Sequence, residues 1–361
     1  ITPYRQDSKL ASGLLARASF CKKRQFTGSM SAHRNVAKSE LTGGDPTLLN
    51  RIAWERRWSC RKTSSEYANA ALDAAAKGVG ERSATGQGLA RRTLAWQAKW
   101  RGDFDESLSD CLAVESLLPE AGFPTARSDI YSILGVIYYS RSRLDLANCA
   151  VDRGFFLMNN RETEEDIPTL IDLLTTRASI QRYSGEKARA GITLGRAHEL
   201  ADGAESARVC HNVARWLLAD EDQGKALDLA EQALDDAVKF KNRVILPYAY
   251  EVAGACLSSL HQTERASVYF KQGLDVAEED GDRRAQCQLL EQFGRMELRQ
   301  GNVEAARHLF DKGAKIARDM GYSLWQKTFA LGLADVHEQL GNLKTALEQH
   351  KLAWRLQGSA R

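Results

Sequence analysis

The chain has 361 residues, 43% of them hydrophobic and 27% charged, with a net charge of +3, a balance that suits a soluble, folded, mostly helical protein. No apolar run approaches the roughly 18 residues needed to span a bilayer. The seven cysteines (21, 60, 111, 149, 210, 256, 287) stand without a Cys-x-x-Cys pair, so the sequence predicts a reducing cytoplasm, no disulfide framework and no zinc site.

The positive charge is concentrated at the start. Residues 1–39 carry eight Lys/Arg and one acid, Asp7, for +7, which leaves −4 for the remainder and gives the body no electrostatic case for nucleic acid. Residues 1–45 are polar, basic and without apolar periodicity, and are expected to form a disordered arm. The chain begins with Ile1, and Met30 could initiate it. A transit-peptide reading of the acid-free stretch Leu10–Phe20 is weaker than that of an arm. Gly43-Gly44-Asp45-Pro46 then reads as a loop, with Asp45 capping a helix whose first residue is Pro46.

From residue 46 to 361 the chain reads as helices in pairs. In Arg299–Ala317 a turn glycine, Gly301, is followed by Ala306, Phe310, Gly313 and Ala317, which lie on one helical face. Leu289, Leu290, Phe293, Met296 and Leu298 form the face of the helix before it. The pattern returns 40 residues away on both sides, as Gly254, Ala266, Phe270 and Gly273 upstream and Gly341, Ala346, His350 and Ala353 downstream. A fixed period of this size is the signature of a helical solenoid.

The small close-approach position of each second helix is assigned to Tyr67, Ser107, Ala147, Ala190, Ala226, Ala266, Ala306 and Ala346. The period is broken once, by a longer loop around 159–166 balanced by a shorter connection at 201–206. Gly281 and Gly321 read as helix C-caps, and Pro119 as the stop of a second helix. The glycine-rich piece Gly78–Gly88 lacks the strand and the Gly-Lys-Ser/Thr of a phosphate loop and is read as an inter-repeat linker.

Leu134, Gly135, Tyr138, Leu144, Ala147, Val151 and Gly154 stand at tetratricopeptide spacing, as do Ala95, Gly102, Phe104, Ser107 and Pro119. Over about residues 48–358 the chain therefore resembles the tetratricopeptide repeat family, in the long-repeat variety of bacterial sensory and signalling proteins. The resemblance implies an all-α fold, a right-handed superhelical solenoid of about seven to eight helix–turn–helix pairs. The segment Leu333–Trp354 resembles the last sensory repeat of certain bacterial diguanylate cyclases, although the chain holds no cyclase motif.

No nucleophile elbow, His-Glu-x-x-His pair or outstanding acid pair occurs, so no catalytic residue, metal or cofactor is assigned. His337 and His350 occupy positions where the repeat places core aromatics, and are expected to pack between helices. A solenoid of this kind offers its concave face to partners. Counting along the first helices places Arg92, Trp96, Tyr139, Arg182, Tyr183, Arg208, His211, Asn212, Arg215 and Tyr248 on that face, with Lys99, Trp100, Glu251, Glu291, Arg295, Asp335 and Glu338 beside them. Arg and Asn can hold a peptide's backbone and carboxylates, while aromatics supply contact area.

The expectation is a non-catalytic scaffold that binds a protein or peptide in the concave groove, as the sensory part of a bacterial signalling protein. Trp354 and Leu356, near the end of the last helix, would meet an output domain or a second copy. The rival reading is a ligand-responsive regulator that contacts nucleic acid through the basic arm.

Overall fold

The computed structural model describes residues 45–358, apart from 79, 160, 220 and 221. The arm expected over residues 1–45 therefore falls, except for Asp45, outside the described residues. Sixteen helices occur among the described residues, in eight pairs. They are α1 (Pro46–Glu55) with α2 (Arg61–Ala76), α3 (Glu81–Arg101) with α4 (Phe104–Leu117), and α5 (Pro124–Ser140) with α6 (Leu144–Met158). Then come α7 (Ile167–Tyr183) with α8 (Lys187–Leu200), α9 (Gly203–Ala219) with α10 (Gln223–Lys239), and α11 (Leu246–Ser259) with α12 (Thr263–Glu279). The last four are α13 (Arg283–Arg299) with α14 (Val303–Asp319), and α15 (Ser323–Gln339) with α16 (Leu343–Gly358).

Each helix packs on its neighbours in sequence, and the first helix of most pairs also packs on the first helix of the next. The odd-numbered helices thus form the inner wall. The eight close-approach residues are all buried. Where that residue is Ser107, its hydroxyl donates to the Ala95 carbonyl at 2.7 Å across the pair.

Glycines receive the large side chains of facing helices. A Cβ on Gly294 would stand 2.5 Å from the Phe310 ring of its own pair, and one on Gly313 would stand 2.2 Å from Phe329 of the next. Gly254 and Gly273 repeat this relation with Phe270 and Leu289. Large side chains and absent ones therefore interlock from α11 to α15, which sets how closely the pairs stack.

The start of α1 is as expected, with the Asp45 carboxylate accepting from Thr47 N at 3.1 Å. Two expectations are corrected. Gly86 and Gly88 lie inside α3 rather than in a linker, because the helices of this and neighbouring pairs crowd there. An added Cβ would be 2.8 Å from Ala75 Cβ at Gly86 and 2.6 Å from Leu118 Cγ at Gly88. His350 is exposed and bonds Glu338 at 2.9 Å instead of filling a core, since among the described residues no helix follows α16 to cover it. His337 is half-buried.

The inner wall is also less open than expected. The superhelix curves until its N-terminal half meets its C-terminal half. Arg61 pairs with Asp282 at 2.5 Å, Arg283 pairs with Asp103 and donates to the Arg101 carbonyl at 2.7 Å, and Val244 N donates to the Trp58 carbonyl at 3.3 Å. The rings of Phe104 and Tyr322 meet edge-on at 5.3 Å. These partners stand 180 residues or more apart in the chain, so the closure is a tertiary seam and not a neighbour contact.

Candidate binding groove and the seam beside it

The ten residues assigned to the concave face all lie on inner helices, but in three settings. Trp96, Arg208, His211 and Tyr248 are buried. Arg92, Tyr139, Asn212 and Arg215 are half-buried, and Arg182 and Tyr183 are exposed.

The buried group belongs to the seam. Trp96 is 1% exposed and packs edge-on against Trp58 at 4.7 Å. The Tyr248 hydroxyl donates to the Asp282 carboxylate at 3.1 Å, and its ring meets Trp100 at 5.3 Å and His211 at 5.7 Å. Asp282 also accepts from Ala285 N at 2.9 Å, capping α13. One buried carboxylate thus fixes a helix start, a tyrosine and an arginine from the other half. Burial, reinforced by Arg215 and Arg182, holds His211 well below the ordinary histidine range, so the ring is neutral at physiological pH.

A ladder of ion pairs joins successive inner helices. Arg92 on α3 pairs with Asp129 on α5 at 3.2 Å, Arg208 on α9 with Asp172 on α7, and Arg215 on α9 with Glu251 on α11 at 3.1 Å. The sequence separations are 37, 36 and 36 residues, about one helical turn less than the repeat. Arg208 also holds Glu205, so both ends of its guanidinium are occupied. Burial pushes the Glu251 carboxyl up to about 7, with Arg215 opposing and Glu291 adding to the rise. Asn212 donates to the Arg208 carbonyl at 2.9 Å within its own helix.

Arg182 differs from the other cations of the inner wall. Among the described residues no ion pair is formed by it. It lines a narrow cleft between α7, α8 and α9 with Ser179, Leu194, Asn212, Arg215 and Trp216. Desolvation of the guanidinium against the cleft walls and repulsion from Arg215 lower it from the ordinary arginine range, with Glu251 opposing. A carboxylate entering here would meet a charge that the protein itself does not neutralise. A second, wider groove of about 550 Å³ lies between α13 and α15, lined by Arg295, Arg299, Asp335 and Glu338.

Sequence reasoning placed the inner-wall residues but not their acidic partners. Asp129, Asp172, Glu205 and Asp282 were invisible to a search for groove residues. The period-minus-one-turn spacing was the signal that could have exposed the first two. Arg57, Trp58 and Arg61, in and just after the α1–α2 turn, carried no such signal.

The fold is similar to that of a Rap protein complexed with Competence and Sporulation Factor, with a TM-score of 0.58 and 15% identity over 87% of this chain and 98% of that one. It is similar as well to the Rap conjugation gene regulator of the plasmid pLS20 in complex with the Phr* peptide (TM-score 0.57, 13% identity, 87% and 95% covered). A third such structure is the apo form of RapI (TM-score 0.53, 16% identity, 74% and 97% covered). No family model matches the chain, and no curated protein does. The chain has a tetratricopeptide-like helical-repeat fold, and at these identities the likeness is one of fold alone.

Proposed function

We propose that the protein is a non-catalytic scaffold whose inner groove binds an extended peptide or protein segment carrying a carboxylate. The observation that carries this reading is Arg182, a cation in a cleft with no acid of its own, flanked by Asn212, Arg215 and the Trp216 ring. A carboxylate placed there accepts charge-assisted hydrogen bonds, while Trp216 offers contact area. The structural likeness to a regulator holding the Phr* peptide supports a peptide as the occupant.

The assignment to a bacterial signalling protein, as its sensory part, rests on the resemblance of the last repeat to those that precede cyclase output domains. It is supported by α16, where Leu343, Leu347 and Trp354 are exposed on one helical face. Trp354 is 75% exposed. Such a stripe suits a further domain or a second copy.

Fluorescence anisotropy with labelled acidic and neutral peptide pools tests the groove. The acidic pool is expected to bind, and Arg182→Ala to weaken that binding about tenfold, a loss of roughly 1.4 kcal/mol. Equal binding of both pools, or an unchanged affinity in Arg182→Ala, would remove the assignment.

A further inference from the structure

The seam contains a nest of buried and half-buried cations over buried indoles that neither the groove nor the ion-pair ladder uses up. Its floor is three tryptophans, Trp58, Trp96 and Trp100, whose ring centroids lie 4.7, 5.6 and 6.1 Å apart. Lys99 stands over two of them, 5.4 Å from Trp96 and 4.6 Å from Trp100. Arg57 lies 5.5 Å from Trp58, and Arg284 lies 5.3 Å from Trp100. Arg208 and Arg61 also face these rings, at 5.0 and 5.9 Å.

These five cations are not equally neutralised. Arg208 has Asp172 and Glu205, and Arg61 has Asp282. Arg57 donates to a main-chain oxygen, that of Trp54, at 2.6 Å, and Arg284 donates to the Tyr139 hydroxyl at 3.4 Å. The Lys99 ammonium makes no hydrogen bond and no ion pair among the described residues, although the residue is only 4% exposed. Three cations thus converge on one set of rings without a carboxylate in contact.

The unmatched polar atoms of the nest are donors. The indole N–H groups of Trp58, Trp96 and Trp100 are buried without an acceptor, as are Nε of Arg57 and both Nε and Nη1 of Arg61. Ring faces do not offset such a deficit. A cation–π contact contributes far less than the cost of enclosing an ammonium without a counter-charge. Burial, opposed by the charge of Asp172 and reinforced by repulsion from Arg284, Arg208 and Arg57, holds the Lys99 ammonium down to about 7. A neutral acceptor such as a water molecule could take one or two of these donors. It would leave the excess charge in place.

We propose that this nest is a binding site for a small multivalent oxyanion of the phosphate class, with Lys99, Arg57 and Arg284 as its charged ligands and the indole N–H groups as further donors. A tetrahedral oxyanion brings two negative charges and several acceptors in one compact group, which answers both deficits together. Its ligands come from the α1–α2 turn, from α3 and from α13. The bound ion therefore ties the N-terminal half to the C-terminal half. This inference does not depend on a peptide in the groove between α7 and α9.

Intrinsic tryptophan fluorescence and thermal unfolding of the full chain, titrated with potassium phosphate against potassium chloride of equal ionic strength, test the site. Phosphate is expected to change the emission saturably and to raise the melting temperature, and chloride to do neither. A parallel arm with a nucleoside monophosphate separates a free ion from an organic phosphate, by which of the two saturates at lower concentration. Lys99→Met should lower phosphate affinity at least tenfold while circular dichroism shows the helices intact. Should that variant not fold, Arg57→Gln is read in the same way. A response equal to that of chloride, or variants that bind phosphate as the wild type does, would overturn the proposal.

Discussion

Burial and charge oppose each other at Lys99, and the opposition has a measurable sign. The folded-state ammonium is held down to about 7, against 10.5 ordinarily. Between those values the unfolded chain carries a proton that the folded chain has released, so stability rises as pH climbs from about 7 toward 10. Below pH 7 both states are protonated and the full cost of burial remains. In phosphate-free buffer, Lys99→Met is expected to be more stable than the wild type at pH 7 by about 1–4 kcal/mol, the range seen when buried charges give way to apolar side chains. Urea denaturation at several pH values checks this. The difference should shrink as pH approaches 10, and a constant difference would mean that Lys99 is not the group being titrated. At this scale the sequence showed Lys99 facing inward beside two tryptophans. It did not show that Arg57 and Arg284 arrive from distant helices to enclose it, because that depends on how far the superhelix curls.

Between helices, the legible part was the interlock of small and large residues. Ala306, Phe310 and Gly313 recur at a constant interval, because each must meet the same partner in every pair. The less legible part was where glycine means approach and where it means a turn. Gly301 and Gly341 have positive φ, at +80° and +74°, with open space around a Cβ, and they are turns. Gly86 and Gly88 are helical and crowded, yet beside Gly78 and Gly80 they look like more of the same linker. The last helix makes the converse point. On α14 the position equivalent to Trp354 is Ala314, which is buried beneath the following pair. On α16 a large aromatic occupies that place and stays exposed together with Leu343 and Leu347. With no other partner present, the chain is expected to self-associate through this face at high concentration, and Trp354→Glu to abolish the association. Light scattering decides: a mass of one chain at every concentration, with the Trp354 indole freely quenched by acrylamide, would remove the α16 contact.

For the whole molecule the decisive feature is the seam. An open solenoid is stabilised by nearest-neighbour contacts alone, so its pairs can unfold in sequence from either end. Here Asp103 holds Arg283, Asp282 holds Arg61, and Phe104 packs on Tyr322, so opening one region strains another far along the chain. None of this is visible in the repeat spacing, which fixes each pair against the next but leaves the small rotation per pair to accumulate unseen. Over eight pairs that rotation determines whether the ends of the inner wall miss or meet. The curl should therefore depend on a few side chains whose removal leaves every helix pair intact. Arg283→Glu combined with Tyr322→Ala replaces an attraction to Asp103 with repulsion and deletes a buried ring, the latter alone worth about 3–5 kcal/mol in large-to-small core changes. The double variant is expected to keep its helical circular dichroism, to gain radius of gyration in small-angle X-ray scattering, and to unfold in urea over a broader range with a smaller slope. Each effect has its own cause: intact pairs preserve the helices, the lost seam releases the curvature, and the broken long-range coupling reduces cooperativity. An unchanged radius with a sharp transition would show instead that neighbour packing alone sets the curl, and that the seam forms as its consequence.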